Sequence, residues 1–279
     1  MNKVWMITGA NRGLGRAFAD EAVRNGDQVI AAVRKINPED ELFRNENVFP
    51  VIMDVTNRDQ VAAGVAAGVE KFGRIDFLIN NAGFGMNAAF EEISEEELRT
   101  LFETDYFGLV SVTKAVLPVM RAQRSGRILN ISSRAGIVAG AGASAYNAVK
   151  FAVVGLSHSL NKELEPWNIQ VTAVCPGPFR TDFRDSSSMK RAANPMPEYD
   201  GTPAHDAVAW LNANNHKQDG DPVKAAAFVY REMMKESVPA TLALGKACCD
   251  SVRVEYAKTL AEIDGYYAGS SATSYEEEA

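Results

Sequence analysis

The stretch Thr8–Gly15, with the sequence TGANRGLG, decides the fold. It follows a short apolar run, Val4–Thr8, and precedes a helical pattern that starts near Leu14 and ends before Gly26. Glycines permit a tight turn and a close backbone approach, and the start of a helix offers free N–H groups at its positive dipole end. A turn of this kind between a strand and a helix is typical of a site for a dinucleotide pyrophosphate.

Short apolar runs alternate with longer helical patterns along the rest of the chain. Because these runs are apolar on both faces, they indicate a parallel sheet covered by helices. We therefore predict an α/β fold, a Rossmann-type doubly wound parallel sheet of about seven strands with helices on both faces. The predicted strands are Val4–Thr8, Gln28–Val33, Val48–Met53, Phe77–Asn80, Arg127–Ser132, Ile169–Val174 and Ala240–Leu244. The predicted helices include Leu14–Asn25, Val61–Phe72, Glu95–Arg124 as one helix or two, and Ala143–Glu165.

One domain is predicted over residues 1–267. Within it, the segment Asp185–Gln218 has little periodic pattern, and a loop of this length inside a compact domain is usually functional. We therefore place a substrate-binding loop at about 183–218. The polar tail 268–279 is predicted to be disordered.

Composition and charge restrict the partners. The net charge of −7 argues against nucleic acid or an anionic membrane, and no apolar run reaches the ~18 residues of a membrane span. Three cysteines without a spaced framework favour a reducing compartment, so we expect a cytoplasmic protein. No second His or Cys stands at metal-ligand spacing, and we expect no metal site.

The residues after the second strand favour one form of the dinucleotide. In this fold an acidic residue at that strand end binds the ribose 2′-hydroxyl of NAD, whereas an arginine accommodates the 2′-phosphate of NADP. Here Arg34 and Lys35 follow the strand, and Arg12 lies in the glycine turn. Guanidinium groups form charge-assisted bonds with phosphate. We expect NADP(H), although ordinary solvated charges remain an alternative for Arg34 and Lys35.

A tyrosine and a lysine form the main candidate for proton chemistry. Tyr146 and Lys150 are four residues apart and share one helix face. A neighbouring ammonium stabilises a phenolate, so Tyr146 can exchange a proton with a substrate oxygen near neutral pH. Ser133 lies just past the preceding strand, where its hydroxyl can hold that oxygen. The adjacent Ser132 is assigned to the strand end.

These motifs, in this order, resemble the classical short-chain dehydrogenase/reductase family, strongly over about residues 3–183. The glycine turn has the family spacing T-G-x-x-x-G-x-G, which implies cofactor contacts from the turn. The resemblance implies an adenine-side contact at the third strand, nicotinamide contacts after the sixth, and a Lys150 bond to the nicotinamide ribose. The cofactor residues implied are Gly9, Asn11, Arg12, Gly13, Leu14, Gly15, Arg34, Asp54, Val55, Asn81, Ala82, Gly83, Tyr146, Lys150, Pro176, Gly177 and Thr181.

One position departs from the family pattern. Where members usually carry an asparagine, the segment Phe102–Gly108 presents Asp105. An ionised carboxylate near Lys150 would stabilise the ammonium and weaken its effect on Tyr146. We therefore count Asp105 among the catalytic residues and expect reduced or pH-shifted activity.

The expected reaction is hydride transfer between NADP(H) and a carbonyl or secondary alcohol carbon, with Tyr146 as general acid/base. No Arg or Lys stands out in the sequence as a clamp for a charged substrate, so we expect an uncharged, apolar small molecule. The residues expected to form apolar walls are Phe84, Met86, Ile137, Val138, Phe183, Met189 and Trp210.

Other readings remain open. Asp105 makes a non-catalytic NADP(H)-binding sensor conceivable. A sugar-nucleotide epimerase usually has another glycine spacing and a larger C-terminal domain, and the Ser–Tyr–Lys set argues against a plain interaction module. The resemblance implies a homodimer or homotetramer formed through about Glu97–Arg124 and Ala143–Glu165.

Overall fold

The computed structural model describes residues 2–275, and within them seven strands form one parallel sheet. The strand order is β3-β2-β1-β4-β6-β7-β9, so the chain winds outward from β1 in both directions. This confirms the predicted Rossmann-type fold. The seven strands are β1 (Val4–Thr8), β2 (Gln28–Val33), β3 (Val48–Ile52), β4 (Phe77–Asn80), β6 (Gly126–Ile131), β7 (Ile169–Pro176) and β9 (Thr241–Leu244). Two further strands of two residues each, β5 (Gly85–Met86) and β8 (Met189–Lys190), pair with each other in a separate sheet.

Two hydrophobic cores cover the two faces of the sheet, because side chains alternate along each strand. From β1, Trp5 and Ile7 enter one core, whereas Val4 and Met6 enter the other. The first core contains α1 (Gly13–Arg24) and α8 (Pro222–Met233), and the second contains α3 (Arg58–Phe72) and α5 (Leu109–Gln123). The helices are α1 (Gly13–Arg24), α2 (Glu41–Arg44), α3 (Arg58–Phe72), α4 (Glu95–Phe102), α5 (Leu109–Gln123), α6 (Ser144–Glu163), α7 (Pro203–Ala213), α8 (Pro222–Met233) and α9 (Lys246–Ser271). Across residues 2–275, none of these helices has the combination of length and apolar character needed to cross a membrane.

The long helical pattern predicted over Glu95–Arg124 is divided in the structure. A π-helical segment, Glu103–Gly108, joins α4 to α5. Such a turn inserts one extra residue into the helix and redirects the side chains around it. The segment carries Asp105 inward, to a position that is 2% exposed.

Two predictions for the second half of the chain need correction. The segment Asp185–Gln218 is not an irregular loop, since it contains β8 and α7. These short elements were not predicted, because the mixed Ser, Asn and Pro content of the segment leaves no clear hydrophobic periodicity. The tail predicted to be disordered from residue 268 begins inside α9, which continues to Ser271, and its last residues, 276–279, lie outside the described part.

A buried carboxylate ties the first strand to α8. Asp27 accepts hydrogen bonds from the Lys3 backbone N–H at 2.8 Å, the Trp5 indole N–H at 2.9 Å and the Tyr230 hydroxyl at 2.9 Å. The Trp5 ring also stacks on Phe77, with centroids 3.8 Å apart. Burial, together with the bond to Asp27, raises the pKa of Tyr230.

We expect Asp27→Ala to lower the free energy of unfolding by about 2–4 kcal/mol, because it leaves the buried Trp5 indole N–H and two partly buried donors without their acceptor. Urea unfolding followed by tryptophan fluorescence measures the change. Glu70→Ala, at an exposed position of α3, is the matched control and should shift the midpoint little. Equal midpoints for the two variants would show that Asp27 does not hold the sheet to α8.

Candidate active site

A large cavity lies at the carboxyl ends of the parallel strands. Its volume is about 2190 Å³. A pocket for one small ligand typically holds roughly 300–1,000 Å³, so this cavity has room for a dinucleotide and a second molecule. It extends from the glycine turn and the end of β2 to α6 and the segment around α7.

The glycine turn has the geometry of a phosphate cradle. Gly9 and Gly13 adopt φ angles of +67° and +57°, in the left-handed region that favours glycine. At Gly15, a Cβ atom would lie only 2.4 Å from both the Asn81 amide nitrogen and the Gly9 carbonyl oxygen. Within the described residues, the N-cap Arg12 makes no side-chain bond to the first turn of α1. The N–H groups of this turn therefore fit the pyrophosphate of a dinucleotide.

The residues after β4 hold the glycine turn in place. The Thr8 hydroxyl accepts the backbone N–H groups of Asn81 at 2.9 Å and Ala82 at 3.0 Å. The Asn81 side-chain amide donates to the carbonyl oxygens of Thr8 at 3.0 Å and Gly9 at 3.2 Å. The side-chain amide of Asn81, a residue predicted to bind the cofactor, thus donates its N–H groups to the backbone of the turn. Thr8 is the first residue of the glycine motif, but its contact was not predicted from the sequence, because its hydroxyl meets Asn81 and Ala82 only when β1 and β4 lie side by side.

The basic residues on which the predicted NADP(H) preference rests line the same cavity. Arg12 and the exposed Arg34 both line it, and the Arg12 guanidinium donates to the Ser187 hydroxyl at 2.9 Å. Asp54 lines it as well, while its carboxylate accepts the Thr56 backbone N–H at 3.0 Å. Asp54 therefore combines a turn-forming bond with a position on the cavity wall.

The structure brings nearly all the predicted site residues to one cavity. Gly15 and Asp105 are the exceptions, since Gly15 packs behind the turn and Asp105 lies behind Lys150. The predicted residues on the cavity wall are Gly9, Asn11, Arg12, Gly13, Leu14, Arg34, Asp54, Val55, Asn81, Ala82, Gly83, Ser133, Tyr146, Lys150, Pro176, Gly177 and Thr181.

Helix α6 presents Tyr146 and Lys150 together, as their spacing predicted. The Lys150 ammonium lies 5.5 Å from the centroid of the Tyr146 ring. The two serines that follow β6 differ in their hydrogen-bond partners. Both serines line the cavity, but the Ser132 hydroxyl donates to the Lys150 backbone carbonyl at 2.9 Å, whereas the Ser133 side chain is bonded to Tyr146 and acts to lower its pKa. This geometry favours Ser133 as the residue that can face a substrate.

A buried ion pair holds Lys150 from behind. Its ammonium lies 2.9 Å from the Asp105 carboxylate and donates to the Ile131 carbonyl at 3.2 Å. The other Asp105 oxygen accepts the Phe84 backbone N–H at 3.0 Å. At Gly83, an added Cβ would lie 2.8 Å from this carboxylate, so the chain passes closely around it.

Burial and charge set the protonation of these groups. Burial raises the pKa of Asp105, against the opposing effect of Lys150. Burial alone would lower the pKa of Lys150, but the Asp105 carboxylate and Tyr146 together raise it, and the pKa lies above the usual value. Burial also raises the pKa of Tyr146; Lys150 opposes this rise and Asp105 adds to it. The carboxylate therefore favours the ammonium while it works against the phenolate.

The expected apolar walls are confirmed in part. Phe84, Met86, Phe183, Met189 and Trp210 line the cavity. Ile137 and Val138 do not, because they pack with Cys175 and Val252 in a separate core cluster. They follow a short 3₁₀ turn after Ser133, and this turn directs them toward α9.

The segment 183–218, the flap, contributes to this end of the cavity and also brings basic side chains that the sequence analysis did not place there. Arg184 donates to the Asn214 carbonyl at 3.2 Å, and Lys190 donates to the Ser186 carbonyl at 3.0 Å. Both line the cavity. Their charges are partly engaged by the flap itself.

Glutamates of the body anchor the flap. Glu92 is buried and accepts the Met196 backbone N–H at 2.8 Å and the His205 imidazole at 2.7 Å. Glu97 accepts the Ala193 N–H at 3.0 Å, and Glu91 accepts the Tyr199 hydroxyl. Burial alone would raise the pKa of Glu92. The hydrogen bonds that Glu92 accepts, including those from Met196 and His205, outweigh the effect of burial and lower the pKa. The flap is thus docked on the body by charged contacts.

Folding also assembles a small polar group at the flap that the spacing of residues did not reveal. Ligand atoms of Asp182, Asp185 and His216 lie within 4.8 Å of one another. Asp185 accepts the Asn215 amide at 2.6 Å and the His216 ring at 2.9 Å. These internal bonds account for the grouping without a metal ion.

Comparison with known proteins agrees with this geometry. The chain is 40% identical to "Oxidoreductase BOA17" of Botryotinia fuckeliana over 266 residues, covering 94% of each protein. The structure of a short-chain dehydrogenase from Streptomyces avermitilis matches with a TM-score of 0.90 and 36% identity, over 99% of this chain and 100% of the other. A short-chain dehydrogenase/reductase from Burkholderia phymatum, solved in complex with NAD, has the same fold, with a TM-score of 0.78 at 23% identity over 94% and 95%.

The family model described as "short chain dehydrogenase" matches residues 3–192, which include the glycine turn, Ser133, Tyr146 and Lys150. The family consists of oxidoreductases that bind nicotinamide cofactors. On the fold, the cavity and these matches, the chain belongs to the short-chain dehydrogenase family.

Proposed function

We propose that this chain is an NADP(H)-dependent oxidoreductase acting on a carbonyl or secondary alcohol carbon of an uncharged, apolar small molecule. The observation that carries the proposal is the position of Tyr146, Lys150 and Ser133 on a cavity that also contains the glycine turn. The bound nicotinamide would supply or accept the hydride. The apolar side chains at the Tyr146 end support the choice of substrate class.

The chain's own residues handle the proton and the substrate oxygen. In the reductive direction Tyr146 donates its phenolic proton to that oxygen, and in the oxidative direction it accepts one. The Ser133 hydroxyl holds the same oxygen by a hydrogen bond. The Lys150 ammonium stabilises the phenolate, and Asp105 acts through Lys150 as a positioning residue.

A protein of the same fold was solved with NAD, so the fold by itself does not select the cofactor. The proposed preference for NADP(H) therefore rests on Arg12 and Arg34. Both arginines line the cavity: Arg34 directly follows β2, where no carboxylate succeeds the strand, and Arg12 lies in the glycine turn with its guanidinium bonded to Ser187. We place the protein in the cytoplasm on its free cysteines, of which Cys175 and Cys248 are buried. A homodimer or homotetramer through α4, α5 and α6 belongs to the same proposal.

Tyr146→Phe should reduce kcat/KM by about 10²–10⁴-fold, because it removes the proton donor while keeping the ring. NADPH oxidation over a panel of apolar aldehydes and ketones measures it, with NADPH fluorescence titration as the binding readout. Tyr106→Phe, at a half-buried tyrosine that is not on the cavity wall, is the matched control. Equal turnover in the wild type and Tyr146→Phe would refute the mechanism, and NADPH binding without any turnover would favour the sensor.

Arg34→Ala and Arg12→Ala should each raise the KM for NADPH by about 10- to 100-fold and leave the KM for NADH nearly unchanged. The estimate follows from about 1.5–3 kcal/mol for a hydrogen bond to a charged group, with 1.4 kcal/mol per tenfold. Arg58→Ala, at an exposed arginine that does not line the cavity, is the control. A wild-type preference for NADH would contradict the assigned role.

Asp105→Asn should shift the pH profile of alcohol oxidation toward lower pH. The carboxylate raises the pKa of Tyr146, so its removal lets the phenolate form at lower pH while Lys150 remains charged. The readout is log kcat/KM against pH. Asp59→Asn, at an exposed residue of α3, controls for the chemical change itself, and superimposable profiles for Asp105→Asn and wild type would remove Asp105 from the proton chemistry.

A further inference from the structure

Helix α9 leaves the body of the protein after its first two turns. Cys248 and Val252 are buried against the body, and from Tyr256 onward every described residue is exposed. Residues 253–271, the C-terminal arm, are helical over about 28 Å at 1.5 Å per residue. A helix of this length gains most of its stability from packing rather than from propensity, and the arm contains Gly265 and Gly269, which weaken it further.

One face of the arm carries a continuous apolar stripe. Tyr256, Leu260, Ile263 and Tyr267, the arm stripe, recur at spacings of four, three and four residues. This spacing continues the face on which Val252 packs against the body. The exposed fractions of Tyr256, Leu260 and Tyr267 are 54%, 60% and 64%, and that of Ile263 is 36%, so the whole stripe is open to solvent.

We propose that the arm stripe is an interface with a second copy of this chain, in which two arms pack antiparallel around a two-fold axis. The stripe is self-complementary, as such an axis requires. In an antiparallel pair centred between Ala261 and Glu262, Tyr256 of one arm faces Tyr267 of the other, and Leu260 faces Ile263. The same register therefore pairs every residue of the stripe.

The area and the charges agree with this occupant. Covering the stripe in both copies removes on the order of 1,000 Å² from water, about what a specific interface needs. No charged residue lies on the stripe, and Lys258 and Glu262 form an ion pair of 3.7 Å on the far face. The charged residues of the arm are more acidic than basic, whereas a helix that binds an anionic lipid surface has a basic polar face.

The test is the mass of the full-length protein in sedimentation and light scattering, over a range of concentrations. The double variant Leu260→Glu with Ile263→Glu should halve the mass of the assembly, or raise its dissociation constant more than tenfold. Val254→Glu makes the same kind of change on the opposite face, at a residue that is 69% exposed, and should leave the mass unchanged. Circular dichroism and turnover report whether the body stays folded.

A crosslink tests the register if the charged variant loses its helix. Leu260→Cys combined with Ile263→Cys should yield a covalent dimer on mild oxidation, whereas Val254→Cys combined with Lys258→Cys on the far face should not. An unchanged mass in the Glu variant together with no stripe-specific crosslink overturns the proposal. Binding of the full-length wild-type protein to phosphatidylcholine–phosphatidylserine vesicles, lost in the Glu variant without a change of mass, would also overturn it and assign the stripe to a membrane surface.

Discussion

The contact between the turn after β1 and the chain after β4 is the constraint on which the site depends. Both strands end at the same sheet edge, and the chain leaves them in different directions, so a crevice opens there. The Thr8 hydroxyl and the Asn81 amide bridge the two sides. Gly15 allows this approach, because a side chain there would collide with Asn81 and with the Gly9 carbonyl. The phosphate cradle is therefore built on a rigid backbone contact.

The ion pair between Asp105 and Lys150 is the second constraint. Both side chains are almost fully buried, and an unpaired charge at either position would be costly. The pair keeps Lys150 charged and fixed, since the ammonium is also bound to the Ile131 carbonyl. The same carboxylate acts against the phenolate of Tyr146. The Asp105 carboxylate thus stabilises the charged form of Lys150 and, at the same time, makes Tyr146 a weaker acid.

The flap and the arm differ in how they are held. The flap is docked on the body by the glutamates Glu91, Glu92 and Glu97, so its position over the cavity depends on charged hydrogen bonds. Among the residues that the structure describes, the arm makes no such bond to the body after Val252, and the arm stripe is apolar. Charged anchors suit a segment that closes a cavity, whereas an apolar stripe suits a contact made between folded bodies.

The sequence by itself determined the fold class, the glycine turn and the order of Ser133, Tyr146 and Lys150. These features are local, since a strand, a turn and a helix each follow from residues close together in the chain. Only the tertiary structure decided that the Ser132 hydroxyl is bonded to the Lys150 carbonyl, that Ile137 and Val138 pack away from the cavity, and that Asp105 pairs directly with Lys150. These outcomes depend on a π-helical turn and on side chains 45 positions apart, which meet only when the sheet and the helices have packed.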